Sequence, residues 1–222
     1  MPFGAYLHVP FCRHRCDYCA FATWTDRHHL AERYLDACRT QIERDVAAGV
    51  PDVPSAFVGG GTPTQVAPAL LLRALAALPL AAGAEVTVEC NPDDLTAEIA
   101  DAYAAGEGGA AVDRRAVDGP RGAGGRSDHD PGNVRRAVEA ARSAGSSPST
   151  STSCTARPAR RSSSGNLGAA IGRNPNHVSA YALTVEEAGT PLAADAVRHP
   201  DDDVQADEYH LATERLGAAG VR

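Results

Sequence analysis

The sequence predicts an α/β protein in which parallel strands alternate with helices. Two patterns point there. Short apolar runs of strand length are followed repeatedly by longer segments whose apolar residues recur every three or four positions. Each strand-like run also stops at Gly, Pro or Asn, where the chain must turn before the next element. A third observation sets the scale: 222 residues, 43% hydrophobic and 22% charged, suffice for one domain, or one and a half, with a buried core.

Taken in order, Phe3 to Val9 is an apolar run that reads as a buried strand ended by Pro10, and a cysteine-rich loop follows from Phe11 to Thr25. From Leu30 to Ala48 the residues Leu30, Tyr34, Leu35, Ala37, Cys38, Ile42 and Val46 fall at helical spacing. Ser55 to Val58 is a second strand, halted by Gly59-Gly60-Gly61-Thr62-Pro63-Thr64, and Val66 to Leu78 is Leu- and Ala-rich and helical. Glu85 to Cys90 is a third strand, after which Asn91-Pro92-Asp93-Asp94 is expected to cap a helix from about Thr96 to Ala104. The pattern then fails twice. Residues 107–127 are mostly Gly, Ala, Arg and Asp without periodicity, and 146–165 are a Ser, Thr, Arg and Pro mixture. Between them Asp130-Pro131-Gly132 opens an amphipathic helix through Ala144; later His177 to Val185 is a strand and Val204 to Ala219 a helix. Two long structureless stretches are foreign to a compact α/β domain.

Charge and cysteine content narrow the function. Lys and Arg together number 21 against 28 acidic residues, a net charge of −7, and a nucleic-acid binder would need the opposite surplus. No apolar run is long enough to span a bilayer and no signal peptide precedes the first strand, so a cytoplasmic protein is expected. There, six cysteines point to metal or redox chemistry rather than to disulfides.

Cys12, Cys16 and Cys19 form a C-x3-C-x2-C motif directly after the first strand. Three thiolates so spaced can hold three irons of a [4Fe–4S] cluster and leave the fourth iron open to a second molecule. A structural zinc ion with His14 or His8 as its fourth ligand is the competing metal reading, and three buried free thiols the metal-free one. Cys38 lies on the apolar side of its helix and reads as core, whereas Cys90 could face either way; His177, His199 and His210 have no ligand spacing.

Tyr6-Leu7-His8-Val9-Pro10-Phe11-Cys12, the three cysteines with Tyr18 before the last, Gly59-Gly60-Gly61-Thr62-Pro63-Thr64 and Glu89-Cys90-Asn91-Pro92 together resemble the radical SAM enzymes of the oxygen-independent coproporphyrinogen III oxidase family. The likeness covers residues 4 to about 105 and resumes near 129–145 and 166–222. Within the family it is nearer to the haem chaperones than to the oxidases, because Cys19 is followed by Ala20-Phe21-Ala22-Thr23 with no further Cys and the motif begins at residue 6.

The resemblance implies a partial (β/α)6 TIM-type barrel, with Cys12, Cys16 and Cys19 ligating a [4Fe–4S] cluster. The open iron would take the amino and carboxylate groups of S-adenosylmethionine. Gly60, Gly61 and Thr62 would let backbone approach the methionine moiety, Glu89 would hold the ribose hydroxyls, Tyr6 would lie near the cofactor, and Tyr18 would shield the cluster or adenine. The implied partners are haem or a porphyrinogen and haem-accepting proteins; the alternative activity is oxidative decarboxylation of coproporphyrinogen III, and a zinc module is a third possibility of another class.

The family expects two strands where the pattern fails. Permissible codons for Ala110 to Gly119, read out of frame, give Arg-Leu-Ser-Ile-Gly-Val-Gln-Ser-Met; those for Thr150 to Pro158 give Val-Asp-Leu-Met-His-Gly-Thr-Pro. Both resemble the family's missing strands. The expectation is a radical SAM core over 1–222 whose segments 107–127 and 146–165 are out of frame, irregular and poorly packed, with the family's C-terminal domain absent. Asp113, Arg114 and Arg115 would suit a buried parallel strand poorly, and such a chain would be an inactive relative in which Cys154 has no ligand role.

Overall fold

Alternating buried side chains along three strands set the architecture. In β1 (Gly4–Val9), β2 (Val53–Gly60) and β3 (Leu80–Cys90), register aligns Leu7 with Val58 and Val58 with Val88, and Ala56 with Val86. All five are buried, which is what period-two patterning produces when one face is covered. The cover comes from α1 (Ala31–Ala47), α2 (Pro68–Leu75), α3 (Ala97–Ala104) and α4 (Pro131–Ser143). They bring Leu35, Leu71, Ala100, Tyr103 and Ala137 into one cluster with the strand residues. Full burial of a side chain such as Leu35 or Leu71 contributes about 1.5–3 kcal/mol. The small Ala74, Ala100, Ala137 and Ala141, each buried, leave room for the helices to pack closely.

The structure is a computed structural model that describes residues 3–106, 111–118, 131–145, 150–154, 163–175, 177–181, 184–185, 189–199 and 201–221. Three further strands, β4 (Ala111–Asp118), β5 (Thr150–Cys154) and β6 (His177–Tyr181), complete a six-stranded sheet. Every neighbouring pair is parallel and the strand order is sequential, β1 to β6. Parallel crossovers of one hand that never reverse direction put all helices on the same side of the sheet. That is barrel winding rather than the doubly wound plan. α5 (Ser163–Ile171) and α6 (Asp202–Ala218) follow β5 and β6. Among the described residues no helix is long and apolar enough to cross a membrane.

Several expectations are corrected. Residues 111–118 and 150–154 are not irregular: their backbones form β4 and β5, with Glu85 opposite Ala111 and Thr150 opposite His177. A parallel ladder uses only N–H and C=O groups, which every non-proline residue supplies, so an atypical side-chain set need not abolish the strand. The rest of 107–127, and of 146–165 apart from the helical residues from Ser163, lies outside the described residues. Asn91 to Asp94 form a turn rather than the cap itself; α3 is capped by Thr96, whose Oγ1 accepts from the Ile99 N–H at 3.3 Å. α6 starts earlier than expected because Asp201 Oδ1 accepts from the Val204 N–H at 3.0 Å.

Candidate functional site

β1 ends at Val9, and the chain then makes a closed excursion. The Trp24 N–H donates to Pro10 O at 2.8 Å and the Cys12 N–H to Trp24 O at 3.0 Å, so residues 11–24 leave and return at one point. Cys12, Cys16 and Cys19 all lie on this excursion, each half-buried and each a free thiol. They sit at the C-terminal end of the strands, where barrel sites are built from the connecting loops.

The loop after β2 locks onto the same point. The Gly61 N–H donates to Val9 O and the Thr62 N–H to Phe11 O, both at 2.8 Å. The Thr62 hydroxyl then reaches Cys12 Sγ at 3.7 Å. The glycines are explained first by protein atoms. A Cβ at Gly61 would lie 2.7 Å from Val9 O and 2.8 Å from Phe11 O, and one at Gly60, where φ is +106°, would lie 2.3 Å from His8 Nδ1. Gly59 makes a different kind of room: a Cβ there would lie 2.6 Å from Glu89 Oε2. The Glu89 carboxylate therefore lies over β2 on the face away from the helices.

The thiols sense one another. Burial raises the Cys12 thiol above its ordinary range and Cys19 adds to this, while hydrogen bonds from Thr62 and Thr23 and the charge of Arg15 oppose it. Burial likewise raises Cys16, opposed by a hydrogen bond with Tyr18 and reinforced by Cys19, Cys12 and Asp17. Tyr18 thus acts on the Cys16 sulfur, which its expected shielding role did not specify. As thiolates, three such groups on one short loop would need a cationic centre to compensate them.

Among the described residues no three His, Cys, Asp or Glu side chains are gathered tightly enough to hold a single metal ion. The nominated zinc ligand His8 is committed elsewhere: its Nδ1 meets the Tyr6 hydroxyl at 3.1 Å and its Nε2 meets Ala22 O at 3.0 Å. Tyr34 also donates to His8 O at 2.8 Å. Burial pushes Tyr34 up to about 12, so this donor stays protonated at neutral pH.

Tyr6 stacks on Phe57 with ring centroids 6.1 Å apart, and burial followed by the nearby Glu89 charge raises its hydroxyl. Tyr6, His8 and Glu89 therefore share the face that the cysteine loop overhangs. The sequence reading named His8 only as a zinc ligand and Gly59 only within the glycine run; what it missed is their contacts with Tyr6 and Glu89. Cys90 is resolved as core, buried at 2% exposure among the helix-facing side chains, and Cys38 packs against the same core. A separate cavity of about 430 Å³ follows the outer edge of β1, lined in part by Tyr6, His8, Tyr34, Cys38, Ile42 and Phe57. None of the three motif cysteines lines it.

The chain matches the family model of the radical SAM superfamily over residues 6–157. It is 36% identical over 235 residues to the haem chaperone HemW of Mycobacterium tuberculosis (strain CDC 1551 / Oshkosh), covering 99% of this chain and 60% of that protein. It is 31% identical over 230 residues to the haem chaperone HemW of Escherichia coli (strain K12), covering 100% of this chain and 61% of that protein. The chain thus spans about 60% of the length of these curated relatives. A solved structure of coproporphyrinogen III oxidase (HemN) from Escherichia coli, described as a radical SAM enzyme, superposes with a TM-score of 0.84 at 20% identity. It covers 99% of this chain and 53% of that one. At that identity the likeness establishes the fold, including a sheet that follows the barrel.

Proposed function

This chain belongs to the radical SAM superfamily, and from that premise we propose that it is the core of a haem chaperone that binds a [4Fe–4S] cluster and S-adenosylmethionine and delivers haem to acceptor proteins in the cytoplasm. The observation that carries the cofactor reading is the meeting of two loops at Cys12, with the thiols of Cys12, Cys16 and Cys19 on one and Thr62 on the other. The haem reading draws on the named function of the relatives that align along nearly the whole chain.

In this reading Cys12, Cys16 and Cys19 hold three irons of the cluster. When bound, the cluster supplies an open iron and a transferable electron. The remaining work belongs to the protein. Thr62 and Tyr18 place hydrogen bonds on Cys12 and Cys16, which steadies the thiolate form of each. Gly60 and Gly61 bring the β2 loop against β1, leaving Thr62 beside the cysteine loop. Glu89, on the open face of β3, accepts hydrogen bonds from the ribose hydroxyls, and Tyr6 packs beside it.

Glu89→Gln is expected to weaken S-adenosylmethionine binding about tenfold or more, since hydrogen bonds to a charged acceptor exceed those to a neutral amide. Equilibrium dialysis on cluster-reconstituted protein measures it, and unchanged affinity would remove Glu89 from the cofactor site.

The function itself is tested by titrating anaerobically reconstituted protein with haem, following the Soret band, and then adding a haem-free acceptor. Saturable haem uptake and transfer are expected, without decarboxylation of coproporphyrinogen III. Decarboxylation in the absence of haem transfer would establish the oxidase alternative instead.

A further inference from the structure

Asp94 carries a carboxylate whose side chain is only 4% exposed, close to the cysteine loop. A buried carboxylate persists where donors meet both its oxygens. Arg13 places Nη2 2.5 Å from Oδ1, and Gln65 places Nε2 2.5 Å from Oδ2. Each donor comes from a different loop. Arg13 directly follows Cys12, and Gln65 follows the glycine loop whose Thr62 hydroxyl reaches Cys12 Sγ.

The turn that carries Asp94 is itself fixed. The Asp93 N–H donates to Asn91 Oδ1 at 2.8 Å and the Asp94 N–H to Asn91 O at 3.0 Å, an Asx turn closed on itself. The Asn91 N–H donates to Thr64 Oγ1 at 3.3 Å, and Asn133 at the start of α4 donates to Asp93. A rigid turn after β3 therefore presents one carboxylate to the two loops that meet at Cys12.

We propose that Asp94 is a positioning residue for the cysteine loop, holding Cys12 from one side through Arg13 and from the other through Gln65 and Thr62. It sets where the Cys12 sulfur stands relative to Cys16 and Cys19. The inference rests on the cofactor reading above only for its purpose; the latch is a property of the metal-free chain. A carboxylate that stabilised the fold in general would affect all cysteines alike, whereas a latch acts on one loop.

Arg13→Met and Gln65→Leu each remove one donor and leave Asp94 in place. In metal-free protein, alkylation by iodoacetamide, resolved by peptide mass spectrometry, gives the rate at each thiol, with Cys38 and Cys90 in the helix-facing core as internal standards. Both variants are expected to raise alkylation at Cys12 about three- to tenfold, the loosening that follows loss of one charged or neutral hydrogen bond. The rates at Cys38 and Cys90 should not change, and Arg13→Lys should recover most of the protection. Reconstituted variants should lose iron to a chelator faster by a similar factor.

An unchanged rate at Cys12 in both variants overturns the latch. So does an equal rise at Cys38 and Cys90, which marks general loosening. A parent protein that fails to bind iron would count against the cofactor reading, while the thiol rates would still decide on Asp94.

Discussion

Cys16→Ser is expected to lower iron in the reconstituted protein from about four atoms per chain to well below one, with parallel loss of acid-labile sulfide. The reason is chemical. A serine oxygen is a harder and more basic donor than a thiolate and competes poorly for iron already bonded to sulfide. With one thiolate lost, only two protein ligands remain to hold four irons. Geometry adds to this, because Cys16 stands between its two partners in the chain and is the thiol that Tyr18 engages. Cys38→Ser is the matched control: that thiol packs against the core and the variant should retain its iron. Sulfide analysis separates the readings, since a zinc site would contain none. If Cys16→Ser kept four irons and its sulfide, the three-cysteine assignment would fall.

That proposal could be made from the sequence because the motif is local. Three thiols within eight residues need no tertiary knowledge to be put forward as a candidate ligand set. Glu89 was named through the family resemblance, but its contact with Gly59 was not legible, because the two residues are 30 positions apart and meet only through the register of β2 and β3. Asp94 and Arg13 are a stronger case, separated by 81 residues. Nothing in a helix-turn signal announces that the carboxylate is buried against an arginine from the first loop. Long-range polar pairs are set by topology, and topology is what a single sequence conveys least.

The fold shows the same division. β1 to β3 were legible because Val, Phe and Leu alternate along them and Gly or Pro stops them. β3 begins earlier than its pattern, at Leu80, because Leu-Ala-Ala-Gly-Ala has little strand preference of its own; its pairing with Val53 is fixed by the Val53 N–H donating to Pro79 O at 2.8 Å. α5 was missed because Ser163-Ser164-Gly165 and Gly168 oppose helix formation. Its stability comes from packing instead, with Leu167 and Ala170 buried. β4 and β5 were read as irregular because their composition lacks the apolar continuity of a parallel strand. Register places Arg114 opposite Val88 and Arg115 opposite Glu89.

Gly61→Ala is expected to destabilise the protein by about 3 kcal/mol, within the range for overpacking where backbone atoms cannot yield. For a chain of this size that is a fall in melting temperature of roughly 6–12 °C. The added Cβ would meet Val9 O, Phe11 O and Phe11 N at 2.7, 2.8 and 3.0 Å, all backbone. No rotamer change can relieve them. The loop would have to retreat from β1, breaking the Gly61 N–H bond to Val9 O and drawing Thr62 away from Phe11 O and Cys12. Stability and cluster retention should therefore fall together. Gly59→Ala is the informative contrast, because the nearest atom to its Cβ is Glu89 Oε2 at 2.6 Å, the end of a flexible side chain. Phe57 Cε1, at 2.7 Å, is the other close atom; carboxylate and ring are both side chains that can turn aside where backbone cannot, so a smaller loss of stability is expected together with weaker S-adenosylmethionine binding. Thermal melts followed by circular dichroism, with iron content and cofactor affinity measured on the same preparations, separate the two. Equal melting temperatures for the parent and Gly61→Ala would mean that the two loops do not meet at Val9, and with that contact the common support of Thr62 and Cys12 would be lost.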